Sequence, residues 1–142
     1  MRAKLGKSSL TLLIAACAVP AAIASPAAAA TFFESPSGNI GCVIGKGSGV
    51  RCDIRERDWS PPPKPAGCPV DWGNGLTVAK RGRGKFTCAG DTVFTTTARQ
   101  LAYGDAIRRG RFRCVSRMSG MRCANRRNGH GFKLSRERAD RF

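Results

Sequence analysis

The stretch Cys42-Val43-Ile44-Gly45-Lys46-Gly47-Ser48-Gly49-Val50-Arg51-Cys52 returns later in the chain as Cys114-Val115-Ser116-Arg117-Met118-Ser119-Gly120-Met121-Arg122-Cys123. Both versions open on Cys-Val and close on Ser-Gly-apolar-Arg-Cys. Each reads as two short strands around a glycine-containing turn. With Cys42 opposite Cys52, Ile44 falls opposite Val50 and Ile40 opposite Ile54. A period of two then puts all six of those side chains on one face, as a sheet burying that side requires. Cys114 opposite Cys123 brings Phe112, Ser116 and Met121 onto one face in the same way. Directly opposed strand residues lie close enough for a disulfide, so the expected bonds are Cys42–Cys52 and Cys114–Cys123. The likeness points to two related hairpins. Two copies do not define a solenoid or propeller.

Outward from these hairpins, Cys68 and Cys88 remain and pair by elimination. Phe86 and Cys88 alternate with Lys85 and Thr87, a third strand signal, and residues 92–97 are rich in β-formers. Residues 95–103 leave room for one short helix, ended by Gly104. Trp59-Ser60-Pro61-Pro62-Pro63-Lys64-Pro65 cannot be helical and favours an extended polyproline form. It reads either as a ligand for a proline-binding domain or as a rigid cover held by Trp59, Cys68 and Trp72. The cover is preferred in an exported chain. The expected fold is all-β: a small disulfide-stabilised sheet, barrel-like or sandwich domain built from hairpins, with at most one short helix.

The N-terminus is expected to lie outside that domain. Arg2, Lys4 and Lys7 precede an apolar, alanine-rich run, and Ala28-Ala29-Ala30 supplies small residues before Thr31. Residues 1–30 therefore read as a secretory signal peptide, and residues 31–142 as one secreted domain. Ile14-Ala15-Ala16-Cys17 offers an alternative, a lipobox that would put a lipid on Cys17. Cleavage after Ala30 accounts better for the apolar residues beyond it. The 142-residue chain is too short for a multidomain enzyme.

Residues 31–142 hold 22 Lys and Arg against 9 Asp and Glu, a net charge of +13, and only 20 Leu, Ile, Val and Phe. A core that thin, below about 20% of residues, at such a charge marks a disordered chain unless something staples it. Six cysteines in an oxidising compartment provide the staples.

The same residues resemble a family of small secreted actinobacterial proteins of unknown function. The likeness is carried by Ser35-Pro36-Ser37-Gly38-Asn39-Ile40-Gly41-Cys42, Leu101-Ala102-Tyr103-Gly104-Asp105, Ser119-Gly120-Met121-Arg122-Cys123-Ala124-Asn125, Gly129-His130-Gly131-Phe132 and Leu134-Ser135-Arg136. It implies an exported, disulfide-bonded domain and supplies no activity.

Candidate sites are few. The cysteine spacings contain no close pair and His130 is the only histidine, so no metal site and no cofactor is expected. His130 sits in Asn128-Gly129-His130-Gly131, a turn pattern, and no motif brings Ser35, Ser116, Ser119 or Asp91 to it. Asp91 and Asp105 could serve a glycosidase, but each follows a glycine and reads more simply as turn chemistry. Asp53 reads as a partner of Arg51 or Arg55.

Charge is the strongest signal. The hairpin register points Arg111, Arg113, Arg117, Arg122 and Arg126 outward, with Arg111 opposite Arg126. Arg81, Arg83, Lys85, Arg108, Arg109 and Arg127 add to the field. Seventeen of the 22 basic residues are Arg, whose fork matches phosphate and carboxylate oxygens at two points. The first hairpin shows a mixed outer set, Gly41, Val43, Arg51, Asp53 and Arg55. The expected function is an exported, non-enzymatic, monomeric domain binding an anionic polymer through Arg111, Arg113, Arg117, Arg122 and Arg126. Candidate partners are a wall phosphate polymer, anionic lipid headgroups or extracellular nucleic acid. Alternatives are a small hydrolase using His130 with an Asp, or a secreted inhibitor or toxin-like protein.

Overall fold

The computed structural model describes residues 29–142. The signal-peptide reading of residues 1–30 and the lipobox Cys17 therefore fall outside the described residues, apart from Ala29 and Ala30. The rest forms two β-sheets, with no helix among the described residues. The first holds β1 (Thr31–Glu34), β2 (Ile40–Gly45), β3 (Gly49–Ile54), β4 (Trp72–Val78), β5 (Lys85–Cys88) and β6 (Arg99–Gln100). The second holds β7 (Ala106–Arg109), β8 (Phe112–Arg117), β9 (Gly120–Asn125), β10 (Gly131–Leu134) and β11 (Ala139–Arg141). Strands β1 to β5 and β7 to β11 each run as an antiparallel meander, and β6 adds in parallel to the free edge of β1.

The internal likeness thus extends from two hairpins to two five-stranded meanders. In one, Phe33, Cys42, Cys52 and Leu76 stand abreast; in the other, Ile107, Cys114, Cys123 and Phe132 do. These rows face each other and form the middle of the core. Three disulfides join Cys42 to Cys52, Cys68 to Cys88 and Cys114 to Cys123. The first and third meet across the core, with Cys52 Sγ 3.8 Å from Cys123 Sγ. Gly49 and Gly120 explain the shared Ser-Gly. Their φ values are +116° and +124°, and a Cβ there would run into the carbonyl oxygens of Val78 and Leu134 on the next strands.

The fold is all-β as expected, and the room left for one short helix over residues 95–103 is not used. Three successive β-branched threonines disfavour one, and the Thr95 hydroxyl accepts the Thr97 N–H at 3.3 Å, a local bond that competes with helix formation. The chain makes a single turn there, pairs as β6, and anchors buried Leu101, whose N–H donates to Glu34 O at 2.8 Å. One expectation needs correction: the outer face of the first hairpin, read as displaying Gly41, Val43, Arg51, Asp53 and Arg55, is not open. Residues 91–94 cross it as an unpaired strap. Phe94 lies directly on Gly41, where a Cβ would come within 2.6 Å of its ring. Asp53, only 3% exposed, accepts Val93 N–H at 3.1 Å, Thr92 Oγ1–H at 3.2 Å and Arg51 Nη2–H at 2.9 Å.

The proline run lies over the far edge of this sheet. Trp72 Nε1 donates to Pro62 O at 2.8 Å, Trp59 Nε1 donates to Ser135 O at 2.9 Å, and Phe86 sits 6.0 Å from both indoles. The cover thereby ties the two sheets together.

Candidate anion-binding surface

Strict alternation along β8 and β9 builds the outer face of the second sheet. Phe112, Cys114, Ser116, Met121, Cys123 and Asn125 are buried inward, while Arg113, Arg117 and Arg122 are exposed outward. The neighbouring strands add more positive charge. Arg108 stands directly opposite Arg113, and Lys133 directly opposite Arg122. Like charges facing each other across strands cost up to ~1 kcal/mol a pair. Val115 is buried on this outer face between Arg122 and Ala106. Arg122 also lies over the Phe142 ring, 4.5 Å from its centre.

No Asp or Glu stands on this face along β7 to β10; on β11, Asp140 stands directly opposite Lys133. No Asp or Glu occurs between Ala106 and Arg136, a stretch with ten Arg and Lys. The ion pairs among the described residues join Arg51 to Asp53 and Asp91, Arg136 to Glu56 and Asp58, and Arg138 to Asp140. None involves Arg111, Arg113, Arg117, Arg122 or Arg126.

The structure divides those five residues. Arg113 and Arg122 occupy the middle of the face. Arg111 and Arg126 sit at one end, where Arg126 N–H donates to Arg111 O at 2.8 Å. Arg117 lies at the opposite end, four residues or ~13 Å along β8 from Arg113.

The end carrying Arg111 and Arg126 is more basic than the hairpin alone indicates, because turns from both sheets gather there. Asn125 and Asn128 Nδ2 donate to Lys80 O at 3.0 and 3.3 Å. Gly84 N–H donates to Phe142 O at 3.2 Å, and Gly110 packs against the backbone of Lys46. Lys46, Lys80, Arg81 and Arg83 are thereby brought beside Arg111, Arg126 and Arg127. Lys46, Lys80 and Lys133 were not singled out in the sequence. A second acid-free stretch, Trp72 to Gly90, was the available signal for Lys80.

Arg51 belongs to the strap. Burial opposes its charge, but hydrogen bonds to Asp53 and Asp91 outweigh that and raise its pKa above the ordinary value. The same Arg51 contact, 2.7 Å to Asp91, holds the Asp91 carboxyl below the ordinary range. Asp105 is fixed by its backbone, donating N–H to Ala102 O and accepting Ser116 N–H, both at 3.0 Å. His130 N–H donates to Asn128 Oδ1 at 3.0 Å and His130 O accepts Asn125 N–H at 2.8 Å. His130 and Asp105 therefore stand at opposite ends of the β8–β9 hairpin. Among the described residues, no group of three His, Cys, Asp or Glu could hold a metal ion.

Fold and surface together define a small β-sandwich, stapled by three disulfides as befits an oxidising environment, with one strongly cationic side. The chain belongs to a family of unknown function, DUF6636, which matches residues 10–142. No curated protein and no solved structure matches it.

Proposed function

We propose that this is an exported, non-enzymatic, monomeric domain that binds a phosphate-bearing polymer of the cell envelope. The contact surface is the outer face of β8 and β9, continued onto the basic end formed by the turns. One observation carries the reading: within the acid-free stretch from Ala106 to Ser135, Arg108, Arg113, Arg117 and Arg122 share the outer face of the second sheet and none of them pairs with a carboxylate. The opposed pair Arg108–Arg113 costs folding stability, and a polyanion laid across it would offset that cost. Arg forks suit phosphate oxygens, and several contacts together give binding that weakens steeply with salt. Base stacking has little support, since the aromatic ring beneath Arg122, Phe142, is already covered by it.

The test is retention on immobilised polyphosphate, with duplex DNA and anionic vesicles as competitors. The expected result is tight retention of the folded protein, and five-fold or greater weakening when Arg113, Arg122 and Arg126 become Gln. Stronger competition by vesicles or by DNA than by free polyphosphate would move the assignment to those partners. No retention at low salt would refute it.

A further inference from the structure

The outer face of the first sheet holds a cleft of about 350 Å³, bounded by the β4–β5 turn and by the end of β5 where the chain leaves for the strap. That volume is within the range of small-ligand sites, roughly 300–1,000 Å³. Its floor is a row across three strands: Arg51 on β3 stands opposite Thr77 on β4, and Thr77 opposite Lys85 on β5. Thr77 faces outward because its neighbours Leu76 and Val78 are buried in the core. Arg81 and Arg83 line the cleft from the β4–β5 turn, and Ala79, Phe86 and Ala89 give it apolar walls.

Three of the four cations here are uncommitted. Arg51 is held by Asp53 and Asp91. Arg83 donates from Nη2 to Arg141 O at 3.1 Å, a contact that leaves its charge uncompensated. Among the described residues no carboxylate pairs with Arg81, Arg83 or Lys85, and all three are exposed. The chain from Trp72 to Gly90 carries no acid that could serve them. Asp53 and Asp91 lie on the strap side, so the unpaired charge is concentrated between the β4–β5 turn and Lys85.

The floor adds a neutral donor. The hydroxyls of Thr77 and Thr87 lie 2.9 Å apart. Each carries a proton, and a single proton serves the bond between them, which leaves the second for a ligand. Thr87 is buried and Thr77 half-buried. With Thr87 donating, the spare proton belongs to Thr77, the hydroxyl nearer solvent. Two guanidinium forks, an ammonium and a hydroxyl offer more donors than the two oxygens of a carboxylate can use. A phosphate monoester presents three terminal oxygens and about two negative charges at neutral pH. A diester presents fewer of both.

We propose that this cleft binds a phosphate monoester, with Arg81, Arg83 and Lys85 on the phosphate oxygens, Thr77 as a further donor, and Ala79 and Phe86 beside the organic group. The cleft belongs to the first sheet, whereas the proposed polymer surface is the face of the second. It shares Arg81 and Arg83 with the margin of that surface and needs none of Arg113, Arg122 and Arg126, so the two readings fail separately.

Amide NMR titration of the oxidised protein with phenyl phosphate, diphenyl phosphate and inorganic phosphate tests this, in the wild type and with Arg113, Arg122 and Arg126 replaced by Gln. In both backgrounds phenyl phosphate should shift the amides of Thr77, Ala79, Lys85 and Thr87 saturably at millimolar concentration. Diphenyl phosphate, a larger but singly charged diester, should bind at least fivefold more weakly. Inorganic phosphate should also bind more weakly, because it leaves the apolar walls uncovered. Arg81→Gln with Lys85→Gln should weaken phenyl phosphate about tenfold or more, with near-UV dichroism unchanged because both side chains are exposed. Lys64→Gln with Arg99→Gln, equal in charge, should change it less than twofold. The proposal is overturned if these amides do not shift saturably, or if the diester or inorganic phosphate binds as tightly as the monoester. It is also overturned if the two double variants behave alike.

Discussion

Replacing Asp53 by Ala is expected to be among the most damaging single changes outside the disulfides. Asp53 is 3% exposed and accepts hydrogen bonds from Arg51, Thr92 and Val93. Removing it leaves the guanidinium of Arg51, whose side chain is 16% exposed, with only the exposed Asp91. It also leaves the buried Val93 N–H without an acceptor. Breaking a buried pair from one side costs about 3–5 kcal/mol. For a domain of this size each kcal/mol lowers the midpoint by roughly 4 °C, so a loss of about 12–20 °C is expected. Thermal unfolding under oxidising conditions, followed by near-UV dichroism, measures it. Asp53→Asn, which keeps one acceptor oxygen, should cost clearly less. A loss under about 1 kcal/mol for Asp53→Ala would refute the claim that this carboxylate clamps the strap.

Three further outcomes are expected. Replacing Cys42 and Cys52 together by Ala should cost about 2.7 kcal/mol in loop entropy, plus the packing lost where Cys52 meets Cys123, and full reduction should abolish near-UV dichroism at moderate temperature; peptide mapping that joined Cys42 to Cys88 or Cys114 would contradict the arrangement. Because Asp91 has its pKa lowered by Arg51, its contribution is fully present above the ordinary carboxylate pKa, near 4, and is lost as pH falls through the lowered value; the wild-type minus Asp91→Asn stability difference should shrink below that pH, and a difference flat down to pH 2 would contradict it. Gly41→Val should dislodge Phe94, since no space exists for a Cβ beneath its ring, and should expose the strap to proteolysis; unchanged protease resistance would show that the strap is held elsewhere.

The sequence disclosed the parts whose signal is local. The period-two face of Ile40, Cys42 and Ile44 and the repeat of Ser-Gly-apolar-Arg-Cys determine a register that the structure reproduces pair by pair. What it concealed depends on long-range placement. The second halves of the two meanders, β4–β5 and β10–β11, share no such motif, so their correspondence shows only in the strand order. The strap was invisible because Thr92, Val93 and Phe94 carry β-propensity but bind a face, not a strand edge. That is why Asp53, read as part of an outer mixed surface, turns out buried, and Arg51 half-buried. The arginines of β8 and β9 were legible by alternation. Their continuation into Lys46, Lys80, Arg81 and Arg83 required knowing which turns share an end.

Because Arg51 is structural, a fair control for the anion surface must draw its cations from elsewhere. The most direct measurement compares two variants of equal charge: Arg113, Arg122 and Arg126 to Gln, and Lys64, Arg99 and Arg138 to Gln, all exposed residues. Polyphosphate affinity is measured across a range of salt concentrations, where the slope counts phosphate contacts at close to one each on duplex DNA. The account predicts a slope flatter by about two to three for the first variant, and nearly the wild-type slope for the second. Equal flattening in both would mean a diffuse positive field with no binding face, and would contradict the central claim.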